Sequence, residues 1–318
     1  MATPVHTDQA LSAESGWGAR ADAPEAQARD YWLLLKPRVM SLVIFTACVG
    51  LLAAPHGVHP VIAIASLLCV AVGAGASGAL NMWWDADIDA EMERTRKRPV
   101  PAGRISAEEA LWVGAALSVL SVALLSVFAN AAAAALLALT IAFYLFVYTM
   151  WLKRSTPHNV VIGGAAGAFP PMIGWCIATG GIGVEALIMF GIIFMWTPPH
   201  SWALALFRND DYTRVGVPML PVAAGETETR RQIFIYSVLM APVAMAPLFT
   251  PIAGPLYGLV AGVLTLRFLQ LAYGLYRRTD AEAAADNRRA EKKFFGFSIL
   301  YLFGVFLALL VEAIWRAI

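Results

Sequence analysis

Long apolar blocks separated by short polar stretches make up the chain from about residue 39 onward. Each block approaches the roughly 20 residues that a helix needs to cross about 30 Å of hydrocarbon. No long polar segment interrupts the series, so we predict one all-α integral membrane domain over residues 35–318. Its nine spanning helices are expected near Val39–Ala54, Pro60–Trp84, Ala110–Ala129, Ala131–Leu152, Asn159–Thr179, Val184–Phe207, Ile233–Thr250, Pro255–Tyr276 and Phe294–Trp315.

Two proline pairs fall inside predicted helices: Pro170–Pro171 in the fifth and Pro198–Pro199 in the sixth. Proline removes a backbone donor and crowds the preceding turn. We therefore expect both helices to break there, with the freed backbone groups finding partners or lining a wet cavity.

The first 34 residues have a different character, being rich in alanine and polar, with acids and bases mixed. A transit peptide would be Arg-rich and poor in acids, and a secretory signal would need an apolar stretch here. We predict a disordered cytoplasmic tail over residues 1–34 of a bacterial protein.

Basic residues fall in alternate connections between the predicted helices, which indicates orientation. The segment before helix 1 and the loops after helices 2, 4, 6 and 8 hold nearly all of the Lys and Arg, whereas the four opposite loops hold none. Only Arg267, inside helix 8, and Arg316, at the far end, lie elsewhere. The pattern predicts a cytoplasmic N-terminus, an outside C-terminus and a multi-pass protein of the bacterial inner membrane.

Composition agrees with a chain whose main partner is the lipid bilayer. Hydrophobic residues make up 59% and charged residues 14%, with mean hydropathy +0.65 and a formal net charge of +1. A soluble domain is closer to a quarter charged. The three cysteines lie inside apolar blocks at no metal-ligand spacing, so no disulfide framework is expected, and no nucleic-acid partner is expected either.

An acidic segment follows directly on helix 2. Asn81, Asp85 and Asp89 are spaced four residues apart, so on a helix they share one face. Like charges on one face repel, and their cost grows at a membrane boundary. A divalent cation relieves this repulsion, and carboxylate and amide oxygens are ligands that suit Mg²⁺. Asp87 projects to another face and is a weaker candidate.

A dense basic run follows within the same loop, including Arg94, Lys97 and Arg98. Carboxylates for a metal beside cations for phosphate oxygens are what a Mg²⁺–diphosphate site requires. The alternative is a solvated acidic helix end with ordinary surface ion pairs.

Three further polar places lie at the same predicted face. Asp210 and Asp211 form a second acidic segment, which equally fits the capping of a loop. Lys153 and Arg154 follow helix 4 and suit either phosphate binding or the ordinary marking of the cytoplasmic side. His200 lies near the end of predicted helix 6, where a lone histidine is usually just a hydrogen-bonded residue.

The combination of these segments resembles the UbiA superfamily of intramembrane prenyltransferases, and more narrowly its haem-farnesylating branch. The residues that carry the resemblance run in order from about Leu35 to the last helix. They are Asn81-Met-Trp-Trp-Asp85-Ala-Asp87-Ile-Asp89 with Arg94-Thr-Arg96-Lys97-Arg98-Pro99, Tyr148-Thr with Leu152-Lys153-Arg154, Thr156-Pro157, Asn159-Val-Val-Ile-Gly-Gly164, Trp196-Thr-Pro-Pro-His200, and Asp211-Tyr212 leading to Gly216-Val-Pro-Met-Leu-Pro221.

The resemblance implies a nine-helix bundle whose cytoplasmic loops hold Mg²⁺ and farnesyl diphosphate. It implies farnesyl transfer to a vinyl group of haem b, giving haem O, with haem A synthase or cytochrome oxidase assembly factors as candidate protein partners. The spaced aspartates of the family's second motif are lost here, because Val215 stands four positions past Asp211. The roles implied are metal binding by Asn81, Asp85, Asp89 and Asp211, diphosphate binding by Arg94, Lys97, Arg98, Lys153 and Arg154, catalysis by Asp85, Asp89 and Lys153, and haem binding by His200.

The aromatic residues Trp83, Trp84 and Tyr148 are candidates for stabilising the allylic cation of such a reaction through their ring faces. They also suit interfacial anchors.

Two other functions compete with this interpretation. A quinone-ring precursor could replace haem as the acceptor, although the Thr197-Pro-Pro-His200 and Gly216-Val-Pro-Met-Leu-Pro221 segments argue against it. A transporter would place its coupling acids near the bilayer midplane, whereas here they lie at one surface.

Overall fold

The computed structural model describes residues 26–317, and this described part is all-helical. The helices, numbered in chain order, are α1 (Ala28–Leu34), α2 (Pro37–Ala53), α3 (Pro60–Trp84), α4 (Ala86–Glu91), α5 (Ala107–Phe128), α6 (Ala131–Ala142), α7 (Lys153–Ser155), α8 (Asn159–Thr179), α9 (Val184–Leu206), α10 (Asn209–Arg214), α11 (Leu220–Ala224), α12 (Glu226–Met245), α13 (Pro255–Tyr276), α14 (Asp280–Ala285) and α15 (Arg289–Ala317).

Eight helical stretches in the described residues are long and apolar enough to cross a membrane. A ninth arises only if α1 and α2, which are bent by 56°, count together as one span. Large apolar side chains such as Val119 and Phe249 point outward and are exposed, as lipid-facing positions are. Inside, α2 packs against α3, α8 and α15, and α15 also packs against α9 and α13, so the last helix closes the bundle on the first.

Residues 28–34 correct the prediction of a disordered tail. They form α1, in which Asp30 and Leu34 are buried. Asp30 accepts a hydrogen bond of 2.7 Å from Arg104 Nε, and Tyr31 donates to Glu109. These contacts to later parts of the chain order a segment whose local composition is polar. Residues 1–25 of the predicted tail lie outside the described residues.

The predicted breaks at the proline pairs are wrong, because α8 runs through Pro170–Pro171 and α9 through Pro198–Pro199. In α8, the turn that contains the prolines packs directly against the backbone of the neighbouring helix α2. A Cβ atom on Gly50 of α2 would lie 1.9 Å from the carbonyl oxygen of Pro171, and one on Gly174 would lie 1.9 Å from that of Ala47. The backbones of α2 and α8 are therefore in direct contact, which packing of this kind allows only to glycine.

Several helices begin earlier than their apolar blocks. The third, seventh and ninth predicted starts move back to Ala107, Glu226 and Arg289, into charged turns that the apolar pattern cannot mark. Acidic residues in a first turn are favourable there because they face the positive end of the helix dipole, as Glu108 and Glu226 do.

The stretch between α6 and α7 is a π-helix, Phe143–Leu152. It continues the predicted fourth span, so that one helical rod covers Ala131–Ser155. Long π-helical stretches are rare and often occur at functional sites. This one terminates beside the acidic segment that follows α3. Both lie on the side of the bundle that we call the basic face, which is formed by residues 85–106, 153–158, 207–225 and 277–288.

Candidate active site

The first acidic segment keeps its helical spacing across the junction of α3 and α4. The amide of Asp85 donates to the carbonyl of Asn81, and the amide of Asp89 donates to that of Asp85 at 2.8 Å. The three side chains therefore remain stacked about one turn apart, as predicted. All three are buried, with exposures of 5%, 0% and 2% respectively.

Cations of the chain itself neutralise this buried segment. Asp85 contacts the Nζ atom of Lys153 and, at 3.4 Å, the guanidinium of Arg154. Asp89 Oδ2 accepts a hydrogen bond of 2.6 Å from Arg98. A buried carboxylate without a partner would be costly, so these pairs stabilise the segment at the membrane boundary.

Asn81 connects the segment to two elements that the sequence patterns did not bring to the site. Its Nδ2 donates to Asp85 Oδ2 at 2.7 Å and to Thr149 Oγ1 at 3.2 Å. Its Oδ1 accepts a 2.6 Å hydrogen bond from Lys36 Nζ. Lys36 lies at the bend between α1 and α2 with a left-handed φ of 52°. In the sequence, nothing distinguishes it from the other basic residues before the first span.

The π-helix supplies the wall opposite this segment. Tyr144 and Tyr148 stack with ring centroids 5.4 Å apart, and Thr149 reaches Asn81. Lys153 follows immediately and pairs with Asp85. Nothing in the apolar pattern of this span distinguishes a π-helix from an α-helix, so the rotation that aims these side chains could not be predicted.

The second acidic segment meets the first through Asp211, on α10. Asp211 Oδ1 accepts a hydrogen bond of 3.3 Å from the backbone amide of Glu93 and lies 3.6 Å from Arg214. Its other oxygen, Oδ2, is buried and has no hydrogen-bond partner among the described residues. Asp210 is exposed. The structure thus distinguishes the two adjacent aspartates and brings only Asp211 inward.

The donor set fits a magnesium ion. Asn81, Asp85, Asp89 and Asp211 offer only hard oxygen ligands, and Mg²⁺ is commonly held by one or two carboxylates together with waters and substrate phosphate oxygens. Within residues 26–317 no three His, Cys, Asp or Glu side chains already surround a common point. Among the described residues, Oδ2 of Asp211 is the one buried side-chain oxygen of these four that has no hydrogen-bond partner.

Two adjoining cavities lie beneath these residues. The polar cavity, of about 260 Å³, is lined by the two motif residues Asn81 and Asp89 and by the four cations Lys36, Arg94, Arg98 and Lys153. The apolar cavity, of about 740 Å³, extends further between α2, α8, α9 and α15. They share the wall residues Val39, Tyr144, Tyr148, Val160 and Ser201. A charged compartment therefore directly adjoins an apolar one.

Two predicted phosphate ligands lie outside the polar cavity. Lys97 is exposed and is absent from the described cavity wall. Arg154 holds Asp87 through two hydrogen bonds of 2.7 and 2.8 Å. Burial opposes ionisation of Asp87, but the hydrogen bonds from Arg154 and from backbone amides, together with the charge of Arg154, outweigh it and keep the pKa of this carboxyl below its usual value.

Trp83 and Trp84 line a separate surface groove with Asp87 and Arg154, rather than either cavity. The prediction that their rings face an allylic cation therefore finds no support in the geometry. Tyr148, the third aromatic candidate, does line both cavities.

His200 lies on the wall of the apolar cavity, away from the acidic segments. Its ring stacks between Trp196 and Phe295, with centroids 4.2 and 4.6 Å away. Its Nδ1 atom shares a 2.6 Å hydrogen bond with Ser298 Oγ. The residue is thus both hydrogen-bonded and beside the cavity, and haem binding stays a prediction.

The fold and the site together define a multi-pass membrane prenyltransferase. The chain belongs to the UbiA prenyltransferase family, which its sequence matches over residues 42–299. Among curated relatives, the protoheme IX farnesyltransferase of Parvibaculum lavamentivorans is 60% identical over 96% of this chain and 95% of its own length. The protoheme IX farnesyltransferase of a Jannaschia species is 61% identical over 91% of this chain and 94% of its own.

Solved structures support the same fold. A digeranylgeranylglyceryl phosphate synthase superposes with a TM-score of 0.73 at 20% identity, covering 90% of this chain and 98% of that one. A UbiA homologue from Archaeoglobus fulgidus, bound to DMAPP and Mg²⁺, gives a TM-score of 0.64 at 15% identity, covering 86% and 99%. At such identities the likeness concerns the fold alone.

Proposed function

We propose that this chain transfers the farnesyl group of farnesyl diphosphate to a vinyl group of haem b, with Mg²⁺ as cofactor, and so makes haem O. The observation that carries the proposal is the polar cavity directly adjoining the apolar one, since a prenyl diphosphate has a charged head and an apolar tail. The acceptor follows from the relatives at about 60% identity, which are named for protoheme IX.

Each compartment has a role in this proposal. Lys36, Arg94, Arg98 and Lys153 bind the diphosphate oxygens, because charge-assisted hydrogen bonds to phosphate are strong. Asn81, Asp85, Asp89 and Asp211 hold Mg²⁺, which contributes positive charge near the leaving diphosphate. The apolar cavity binds the farnesyl chain and excludes bulk water from the reactive carbon.

The proposed reaction breaks the bond between the first farnesyl carbon and the diphosphate oxygen, and the diphosphate leaves with the electron pair. The terminal vinyl carbon of haem b forms the new carbon–carbon bond to the farnesyl carbon. The positive charge then lies on the carbon next to the porphyrin ring, where water adds and loses a proton. The product carries a hydroxyethylfarnesyl group. Tyr148, whose ring borders both cavities, is suited to stabilise the allylic cation.

Purified protein in lipid nanodiscs tests this function with farnesyl diphosphate, haem b and Mg²⁺. We expect haem O, identified by mass spectrometry, and its loss when EDTA removes Mg²⁺ and its return when Mg²⁺ is restored. Folded protein that makes no haem O but prenylates a quinone-ring precursor would contradict the proposed acceptor. Turnover unaffected by EDTA would contradict the proposed cofactor.

We also propose that the basic face lies in the cytoplasm, with the chain in a bacterial inner membrane. The support is the positive-inside distribution of Lys and Arg. Two single-cysteine variants, Gly57→Cys and Arg96→Cys, test this orientation. Each is made in a background that lacks Cys48, Cys69 and Cys176. An impermeant maleimide applied from outside intact spheroplasts should label the first and not the second. The reverse result would invert the topology.

A further inference from the structure

The wall that α8 contributes to the apolar cavity contains three glycines with different surroundings. A Cβ atom on Gly163 would lie 2.1 Å from the ring of Tyr148, and one on Gly164 would lie 2.9 Å from Thr197. Both glycines are therefore required by close neighbours. A Cβ atom on Gly167 would meet nothing within 4 Å, and this residue is exposed to the cavity that it lines. The space that a side chain at position 167 would occupy is therefore part of the cavity.

Gly167 lies deep in this cavity. Val160, on the same helix, marks the junction with the polar cavity, and seven residues of α-helix separate the two by about 10 Å. The facing walls reach a similar depth, because Thr46 follows the junction residue Val39 by seven positions and Ile193 precedes Ser201 by eight. Gly167, Thr46 and Ile193 thus bound the part of the apolar cavity that is farthest from the cations.

We infer that Gly167 is a specificity-determining residue, which sets the length of prenyl chain that the site accepts. The inference rests on the proposed function, in which the diphosphate lies among the cations and the chain extends into the apolar cavity. A farnesyl chain has one isoprene unit more than a geranyl chain, and that last unit reaches the space beside Gly167. A side chain at position 167 occupies this space and excludes the third unit, while the first two units keep their contacts.

A graded series of Gly167→Ala, Gly167→Val and Gly167→Leu tests the inference through binding of the donors. The dissociation constants of farnesyl and geranyl diphosphate are measured with Mg²⁺ on purified protein in nanodiscs. We expect the preference for farnesyl over geranyl to fall with side-chain size, by at least ~10-fold for leucine, since one methylene group in an apolar pocket is worth about 10- to 200-fold. The ratio of farnesylated to geranylated haem should change in the same direction.

Gly262→Leu is the matched control, because Gly262 lies inside α13, lines neither cavity, and its Cβ would also meet nothing within 4 Å. It should leave the ratio unchanged. The inference would be overturned if the Gly167 variants lost affinity for both diphosphates equally. It would also be overturned if valine and leucine left the ratio of the two dissociation constants unchanged. The binding measurement needs no haem, so a wrong acceptor would appear only as missing haem product, with the donor ratios still changed.

Discussion

The two acidic segments of the site are built in opposite ways. In the first, Asp85 and Asp89 are each held by a cation of the chain, Lys153 and Arg98. In the second, Asp211 is also buried, but its nearest cation contact is 3.6 Å long and its Oδ2 atom has no hydrogen-bond partner in the described structure. The chain thus gives each carboxylate of the first segment a close cation and leaves one buried oxygen of Asp211 without a hydrogen bond.

This difference separates stability from function. An unsatisfied buried acceptor costs about 1–3 kcal/mol, so Asp211 is hard to explain as a stabilising residue. The carboxylates of the first segment contribute to both stability and function, because they pair with Lys153 and Arg98 and also offer metal ligands. The same substitution should therefore have different consequences in the two segments.

The largest effect is expected for Asp85→Asn or Asp89→Asn. Each removes a proposed metal ligand at the leaving diphosphate, and loss of one such electrostatic contribution typically costs at least ~100-fold in turnover. Haem O formation in membranes is the measurement, with the amount of inserted protein determined in parallel.

Glu93→Gln serves as the control for these variants, since Glu93 belongs to the same loop but its side chain is exposed. It should keep near-normal turnover. Haem O production close to that of the unaltered protein in Asp85→Asn or Asp89→Asn would rule out the assignment of these residues as metal ligands.

A smaller effect, roughly 10- to 100-fold, is expected for Asp211→Asn, the range found for groups that support a metal site. Its melting temperature should stay the same or rise, because the substitution removes a buried charge with an unsatisfied oxygen. Asp210→Asn changes an exposed neighbour and should alter neither property. A large drop in melting temperature for Asp211→Asn would show that the second segment is structural after all.

Lys36→Met extends the comparison to a cation outside both segments. Loss of its charge-assisted hydrogen bonding should raise the KM for farnesyl diphosphate about 10-fold, with a smaller change in kcat. Lys36→Arg should restore part of the affinity, because it keeps the charge. A fall in kcat at constant KM would assign Lys36 to the chemical step instead of to donor binding.

The smallest effect concerns Asp87 and Arg154, the pair at the surface groove. Since the pKa of Asp87 is lowered in the folded protein, the pair stabilises the fold above the usual carboxyl pKa near 4 and loses this contribution as the pH falls through the lowered value. Asp87→Asn should reduce stability by less than about 1 kcal/mol at pH 7, because the carboxylate is about half exposed. The difference from the unaltered protein should vanish in acid when melting is followed from pH 7 downward.

The sequence predicts the spans and the first acidic face because both depend on local periodicity. Asn81, Asp85 and Asp89 stay on one face since the backbone continues helically through Asp85. Contacts between distant segments do not follow from local periodicity. The ordering of α1 depends on its contacts with Arg104 and Glu109, and the position of Lys36 in the site depends on the bend before α2. Continuity of α8 through its prolines depends on Gly50 of another helix. The π-helix changes only the rotation of a span whose apolar pattern is uniform.

The ion pairs of the first segment also bear on the order in which the protein is assembled during synthesis. Asp89 finds its cation nine residues later, within its own loop. Asp85 finds Lys153 only 68 residues later, after α5, α6 and the π-helix have emerged. The ribosome must therefore deliver two further spans before Asp85, buried in the finished protein, meets its counter-ion. In a nascent chain that ends before residue 153, Asp85 still lacks this counter-ion. The membrane insertion machinery must therefore accommodate an unpaired Asp85 until the third and fourth spans have been added.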